Sequence, residues 1–240
     1  MKTPVVMSWS GGKDSAVALQ ELLSSSNYEI VALLTSVSEE YRRISHHGVR
    51  EELLDAQAQA IGLPLEKVYL PGGLAGGCSN EVYEQIMAAA VAAFRARGIE
   101  TFAYGDLFLE DIRAYREANL ARAEMRAVFP IWKRDTTELA HEVIRTGYRA
   151  YISCAEGHLG AEFVGRLYDG DFLAQLPAGV DPCGERGEFH SFVFDGPIFR
   201  EPVPVEVGEV VARDGRFYAD LLLPRSQLPV NGLAELIPQV

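Results

Sequence analysis

Ser10-Gly11-Gly12-Lys13-Asp14-Ser15 brings two glycines, two hydroxyls, an amine and a carboxylate into one short run. Pro4-Val5-Val6-Met7 ahead of it fits a buried strand, and Ala16 to Leu23 behind it fits a helix. Glycines at such a junction let the backbone turn tightly and come close to a ligand. Amide N–H groups and hydroxyls at the helix start then make a place for an anion. A bare glycine turn is common, but the whole motif in a strand–turn–helix setting disfavours that reading. The order is not Gly-x-x-x-x-Gly-Lys-Ser/Thr, the loop of γ-phosphate chemistry. Two weaker signals follow. Gly105-Asp106 ends an apolar run on the side where open α/β sheets bind ligands, and a single aspartate there suffices for magnesium. Asp181-Pro182-Cys183-Gly184-Glu185-Arg186-Gly187-Glu188 sets two glutamates among glycines, which by chemistry alone is equally a site or a solvated turn.

The elements that must position these residues alternate over the first half. Ile30 to Leu34, Leu65 to Leu70 and Thr101 to Tyr104 read as strands. Val49 to Ile61 reads as a helix ended by Gly62 and Pro64, and an alanine-rich helix runs from Asn80, as N-cap, to Arg97 and stops at Gly98. This alternation predicts a parallel sheet with helices on both faces. After about residue 125 the pattern loosens, and a soft boundary there divides the chain into 1–125 and 126–240. Phe129 to Trp132 reads as a short strand or extended segment, Thr136 to Thr146 as a helix, Tyr151 to Cys154 as a strand. An aromatic-rich run follows from Phe189 to Phe194, and Val203 to Leu223 alternates like antiparallel strands. Gly72 to Cys78 is a glycine-rich loop, expected to be mobile. Glu39, Glu40, Arg42 and Arg43 form a mixed-charge loop, read as a solvated face, although its arginines are placed to meet an acidic acceptor.

The 240 residues are 48% hydrophobic, enough for a packed core. A net charge of -12 disfavours broad contact with nucleic acid. No run has the apolar length of a membrane span, and Met1-Lys2-Thr3 leads straight into the first strand, so a cytoplasmic protein with no membrane partner is expected. Cys78, Cys154 and Cys183 are too far apart for a paired-cysteine metal site, and a lone thiol such as Cys183 is more often a packing residue than a nucleophile.

The Ser10–Ser15 order resembles the pyrophosphate loop of the N-type ATP pyrophosphatases, which split ATP between its α and β phosphates. Taken with Gly105-Asp106-Leu107, with Phe129-Pro130-Ile131-Trp132 and Arg134-Asp135-Thr136, and with Cys183-Gly184-Glu185-x-Gly187-Glu188, it resembles the diphthine–ammonia ligase family, also called the ATP-binding domain 4 proteins. The resemblance covers nearly all the chain up to Phe199. It implies an α/β fold, a Rossmann-like parallel sheet of the pyrophosphatase type with a smaller C-terminal α+β lobe. It also implies that ATP adenylates a carboxylate and that ammonia then displaces AMP to form an amide.

On this reading Ser10, Gly11, Gly12 and Ser15 hold the ATP phosphates, with Gly105 and Asp106 beside them and Asp106 on magnesium. Lys13 is a candidate to add charge, and Asp14 to set the helix start or help bind the metal. Glu185 and Glu188 match the family's paired glutamates, expected to serve ammonia or the acceptor, since a carboxylate can hold ammonium and take its proton. His47 matches a family histidine and is placed, with Cys183 and Gly184, on the substrate side, although a half-buried histidine at a helix start is an equal reading. The expected partners are ATP, ammonia or ammonium, and a carboxylate acceptor that is a small molecule or a protein side chain; a homodimer is left open. Phe189-His190-Ser191 departs from the tyrosine-glutamate-threonine run of ligases acting on diphthine. The competing class is a nucleotide sensor of the universal-stress type, which carries its phosphate-binding glycines late in the chain rather than after the first strand.

Overall fold

The computed structural model describes residues 1–45, 47–72 and 78–224. Most of the glycine-rich loop expected to be mobile, 73–77, lies outside them. Five strands, β1 (Thr3–Ser8), β2 (Tyr28–Ser38), β3 (Leu65–Leu70), β4 (Thr101–Ala103) and β5 (Arg126–Val128), form one parallel sheet in the order β3-β2-β1-β4-β5. The central β1 is an unbroken apolar run because both its faces are covered, and Val5, Val6 and Met7 are fully buried. Successive side chains point to opposite faces. Val5 and Met7 pack with α1 (Lys13–Ser24) and α2 (Glu51–Ile61), through Ala16, Leu19, Leu53 and Leu54. Val6 packs the other way, against Phe94 of α3 (Asn80–Ala96) and Leu120 of α4 (Glu110–Ala121). The sheet is therefore wrapped on both faces, as the alternation requires.

Asp135 caps α5 (Thr136–Arg145), accepting from Glu138 N at 2.9 Å. Beyond it lie β6 (Arg149–Glu156), the short helix α6 (Gly170–Gln175), β7 (Phe189–Asp195), β8 (Glu206–Arg213) and β9 (Arg216–Leu222). The four strands pair antiparallel in the order β7-β6-β9-β8. Ile152, Phe192 and Leu221 join the core that holds α1 and α2, so this smaller sheet docks on that side of the parallel one. Polar bonds cross the junction as well. Tyr148 donates its hydroxyl to Gln20 Oε1 (2.8 Å), and Val193 N donates to Gly11 O (2.9 Å). No helix among the described residues is long and apolar enough to cross a membrane.

The structure differs from the sequence reading at several element ends. Phe129 to Trp132 is a turn, with Trp132 N donating to Phe129 O at 3.2 Å; the strand of this region is β5, just before it. Pro130 has no N–H for a ladder, and Lys133 sits at φ 61, which closes the turn. The N-cap of α3 is Ser79, whose hydroxyl accepts from Val82 N, and Asn80 is the first helical residue. Helix α1 begins at Lys13, earlier than its apolar stripe, because the extended Gly12 is its cap. Helix α4 buries only Leu120, which leaves too thin a stripe to read.

Candidate active site

The loop after β1 folds back on itself. Gly12 N donates to Ser10 Oγ (3.3 Å), Ser15 Oγ donates to Gly12 O (2.8 Å), and the two serine hydroxyls lie 3.2 Å apart. Gly11 sits at φ +76, where L side chains are strained, and a β-carbon there would lie 2.8 Å from Gln57 Oε1. Gln57 is fully buried on α2. It accepts from Trp9 Nε1 (3.0 Å) and donates to Gly11 O (3.0 Å) and to Val193 O (2.5 Å), so one amide ties the loop to both lobes. From the second lobe, Ser191 Oγ accepts from Lys13 N at 3.2 Å.

Gly105 brings the end of β4 against the start of α1. A β-carbon on it would lie 2.9 Å from the Asp14 carbonyl carbon and 2.9 Å from Ser15 N, both backbone. Asp106 is bound by Arg116, through Nη2 to Oδ1 (3.1 Å) and with Nε 2.8 Å from Oδ2, while the same guanidinium stacks on Tyr104 at 4.4 Å. Lys13 is buried. Its Nζ donates to Asp14 Oδ2 (2.9 Å) and to Cys183 O, and lies over the Tyr168 and Phe189 rings. Burial pulls its pKa down, but its neighbours, Asp14 foremost with Cys183 and Glu185, more than reverse this and hold it above the usual lysine value. The other oxygen of Asp14, Oδ1, is buried with no hydrogen-bond partner among the described residues.

The 181–188 segment is a built loop. Asp181, buried, accepts from Cys183 N (2.8 Å) and from the Thr136 hydroxyl (2.8 Å). Gly184 stands at φ +68, where a β-carbon would lie 2.7 Å from Phe189 O. The two glutamates face different ways. Glu188 turns inward and accepts from Asp181 N (3.0 Å) and Arg186 N (2.9 Å), knotting its own loop. Glu185 reaches across to the first lobe and accepts from Leu107 N at 2.7 Å, next to Asp106. Burial pushes its carboxyl up to about 7; the Leu107 amide opposes this, and the charge of Asp14 adds to it.

All of this converges on one cleft of about 240 Å³ beyond the ends of β1 and β4. Ser10, Gly12, Lys13, Asp14, Ser15, His47, Gly105, Asp106, Cys183, Gly184 and Glu185, singled out from the sequence, all line it. Gly11 lies beneath the loop and Glu188 behind it, and neither lines the cleft. Sequence reasoning missed Gln57, Arg116, Asp181, His190 and Ser191. Gln57 had a signal: with Leu53, Leu54 and Ile61 it occupies the apolar stripe of a helix, where an amide needs partners.

Cys183 lies against α5, its thiol donating to Thr136 O at 3.3 Å, and burial pushes that thiol up to about 12. We expect iodoacetamide at pH 8 to leave Cys183 unmodified in the folded chain and to label it fully in urea. Peptide mass mapping checks this, and rapid labelling of the native chain would show an accessible thiolate.

Asp14 and Asp106 are the groups that fit magnesium. Among the described residues no three metal-ligating side chains cluster, but magnesium binds through one or two carboxylates together with substrate phosphates. Oδ1 of Asp14, without a hydrogen-bond partner among the described residues, would fit as such a ligand.

The family model described as the diphthamide synthase N-terminal domain matches residues 1–119, and that of the diphthamide synthase C-terminal domain matches residues 135–220. The chain is 26% identical to diphthine–ammonia ligase of Rattus norvegicus over 252 residues, covering 93% of this chain and 89% of that protein. To the protein of the same name from Danio rerio it is 26% identical over 234 residues, covering 88% and 89%. To that of Homo sapiens it is 25% identical over 235 residues, covering 88% and 85%.

Proposed function

As the chain belongs to the diphthamide synthase family, we propose that it is an ATP-dependent ligase that adenylates a carboxylate and converts it to an amide with ammonia. The observation that carries this reading is a shared cleft, walled by the Ser10–Ser15 loop on one side and the 183–185 loop on the other. In the first step a carboxylate oxygen of the acceptor bonds to the α-phosphorus, the α–β bridge breaks, and pyrophosphate leaves with the electron pair. Loop amides and the Ser10 and Ser15 hydroxyls meet the charge that develops on the leaving group. Magnesium, held by Asp14 and Asp106, would neutralise phosphate charge there.

In the second step ammonia nitrogen bonds to the acyl carbon and the C–O bond to AMP breaks. Glu185 is the group placed to take the nitrogen's proton, since its raised pKa makes it a base poised near neutrality. Glu188 positions Glu185 by fixing the loop from behind. The acceptor is a carboxylate of a small molecule or a protein side chain. Diphthine, named in the relatives, is the first to be tried. The test is the nucleotide product with ammonium and a panel of carboxylates, followed by phosphorus NMR. AMP with pyrophosphate is expected. ADP with phosphate would refute the proposal, and tight ATP binding without turnover on any acceptor would favour a sensor.

Glu185 also gives a pH signature that needs no acceptor. Its folded pKa lies above that of an unfolded glutamate, so the folded chain holds this proton more tightly and loses stability as pH rises toward and through about 7. Glu185→Gln, whose amide oxygen can still accept from Leu107 N, lacks that loss. Thermal melts from pH 5 to 8 should show the wild-type chain falling by a few degrees relative to the variant. Parallel pH profiles would mean that Glu185 is ionised throughout.

A further inference from the structure

Among the described residues that line the cleft, the two cations Lys13 and Arg116 each hold a carboxylate. Lys13 is held by Asp14 at 2.9 Å and Arg116 by Asp106 at 2.8 Å, and Glu185 adds a further carboxylate to the wall. A polyphosphate entering this lining meets more carboxylate than cation, which a loop of backbone amides offsets only in part. Among the described residues the lining also includes two imidazoles, His47 and His190, whose ring N–H groups are of the kind that bind anions.

Their placement is specific. The two rings lie 4.4 Å apart between centroids, tilted by 32°. His47 comes from the segment before α2, His190 from β7, and they meet at the phosphate loop. A β-carbon on Gly12 would lie 3.3 Å from His47 Cε1, and Ser191, next to His190, accepts from Lys13 N at 3.2 Å. Behind His190 stands Arg216, with Nη1 3.3 Å from Nε2 of the ring and Nη2 3.2 Å from Glu156. Arginine only donates, so Nε2 accepts and the ring's proton is assigned to Nδ1. His190 thereby carries its N–H on Nδ1.

We propose that His47 and His190 form an anion subsite that binds the pyrophosphate portion of the nucleotide, ahead of and after its departure. The proposal rests on the reading of this cleft as an ATP site, and it assigns the histidines to the leaving group rather than to the acceptor. The probes are magnesium pyrophosphate, ATP and AMP, titrated calorimetrically into the full chain and into His47→Gln and His190→Gln. A hydrogen bond to a charged group sets the scale. Each variant should bind pyrophosphate and ATP about tenfold or more weakly, with AMP unchanged.

A second measurement serves if a variant does not fold. Diethyl pyrocarbonate labelling of the wild-type chain should be slowed at His47 and His190 by pyrophosphate and not by AMP, with exposed His141 and His158 as internal controls. ATP binding that is unaffected by both substitutions, or labelling that pyrophosphate does not slow, overturns the subsite and leaves the ATP site standing. A wild-type chain that binds neither ATP nor pyrophosphate overturns both.

Discussion

Replacing Gly105 by alanine is expected to weaken ATP binding by at least about 100-fold, or about 2.7 kcal/mol. The added methyl would lie 2.9 Å from two backbone atoms at the Asp14–Ser15 junction, where no flexible side chain can yield. Relief requires the end of β4 to back away from the first turn of α1, and that movement carries Asp106 away from the phosphate loop. Overpacking of this kind also costs about 1–3 kcal/mol of stability, so binding is to be measured well below the variant's melting temperature. Gly170→Ala is the control, because nothing lies within 4 Å of its added carbon. Equal ATP affinity in Gly105→Ala and wild-type chains would mean that the β4 end takes no part in the site.

The other large effect is expected at Gln57. A leucine there is close in size but removes every polar partner at once. Trp9 Nε1 and Val193 O are left buried and unbonded, and Gly11 O keeps only Val193 N. At about 1–3 kcal/mol for each unsatisfied buried group, Gln57→Leu should lower unfolding free energy by about 3 kcal/mol. For a chain of this size that is a fall in melting temperature of roughly 6–12 °C. Because the same amide clamps Gly11, ATP affinity should fall as well, while Gln59→Ala, on the exposed face of the same helix, should leave it close to wild type. Urea unfolding and calorimetry read the two effects separately. A stable Gln57→Leu chain with normal affinity would show that the loop is held by β7 alone.

Much of the first lobe is legible in the sequence, because β1 is an apolar run and the buried residues of α1 and α2 form wide stripes. Val5-Val6-Met7 announces a strand covered on both faces, and the two glycines after it announce a turn that must meet something. The site was legible to the extent that backbone chemistry shaped it: Gly11, Gly105 and Gly184 each stand where a side chain would collide. What sequence could not give was direction. Glu185 and Glu188 look equivalent in the chain, yet one spans to Leu107 and the other turns back on Asp181. That difference arises from the left-handed residues Gly184 and Gly187 between and before them, not from the glutamates themselves. Asp106 and Lys13 were read as open charges, but each has a partner, Arg116 and Asp14, and Arg116 comes from a helix whose thin apolar stripe hid it. His190 lay inside an aromatic strand and drew attention only as a departure from a pattern. Its meeting with His47 joins residues from opposite lobes, which no local periodicity reports.

The most direct test of the account is a crystal structure of the chain with magnesium and an ATP analogue whose α–β bridge is a methylene, which binds without being cleaved. The expected result places the β and γ phosphates against Gly12 and Ser15, with the α-phosphorus facing the Glu185 side of the cleft. A nucleotide seated elsewhere, such as in the groove lined by Tyr41, Arg42 and Arg50, with the Ser10–Ser15 loop untouched, would contradict it.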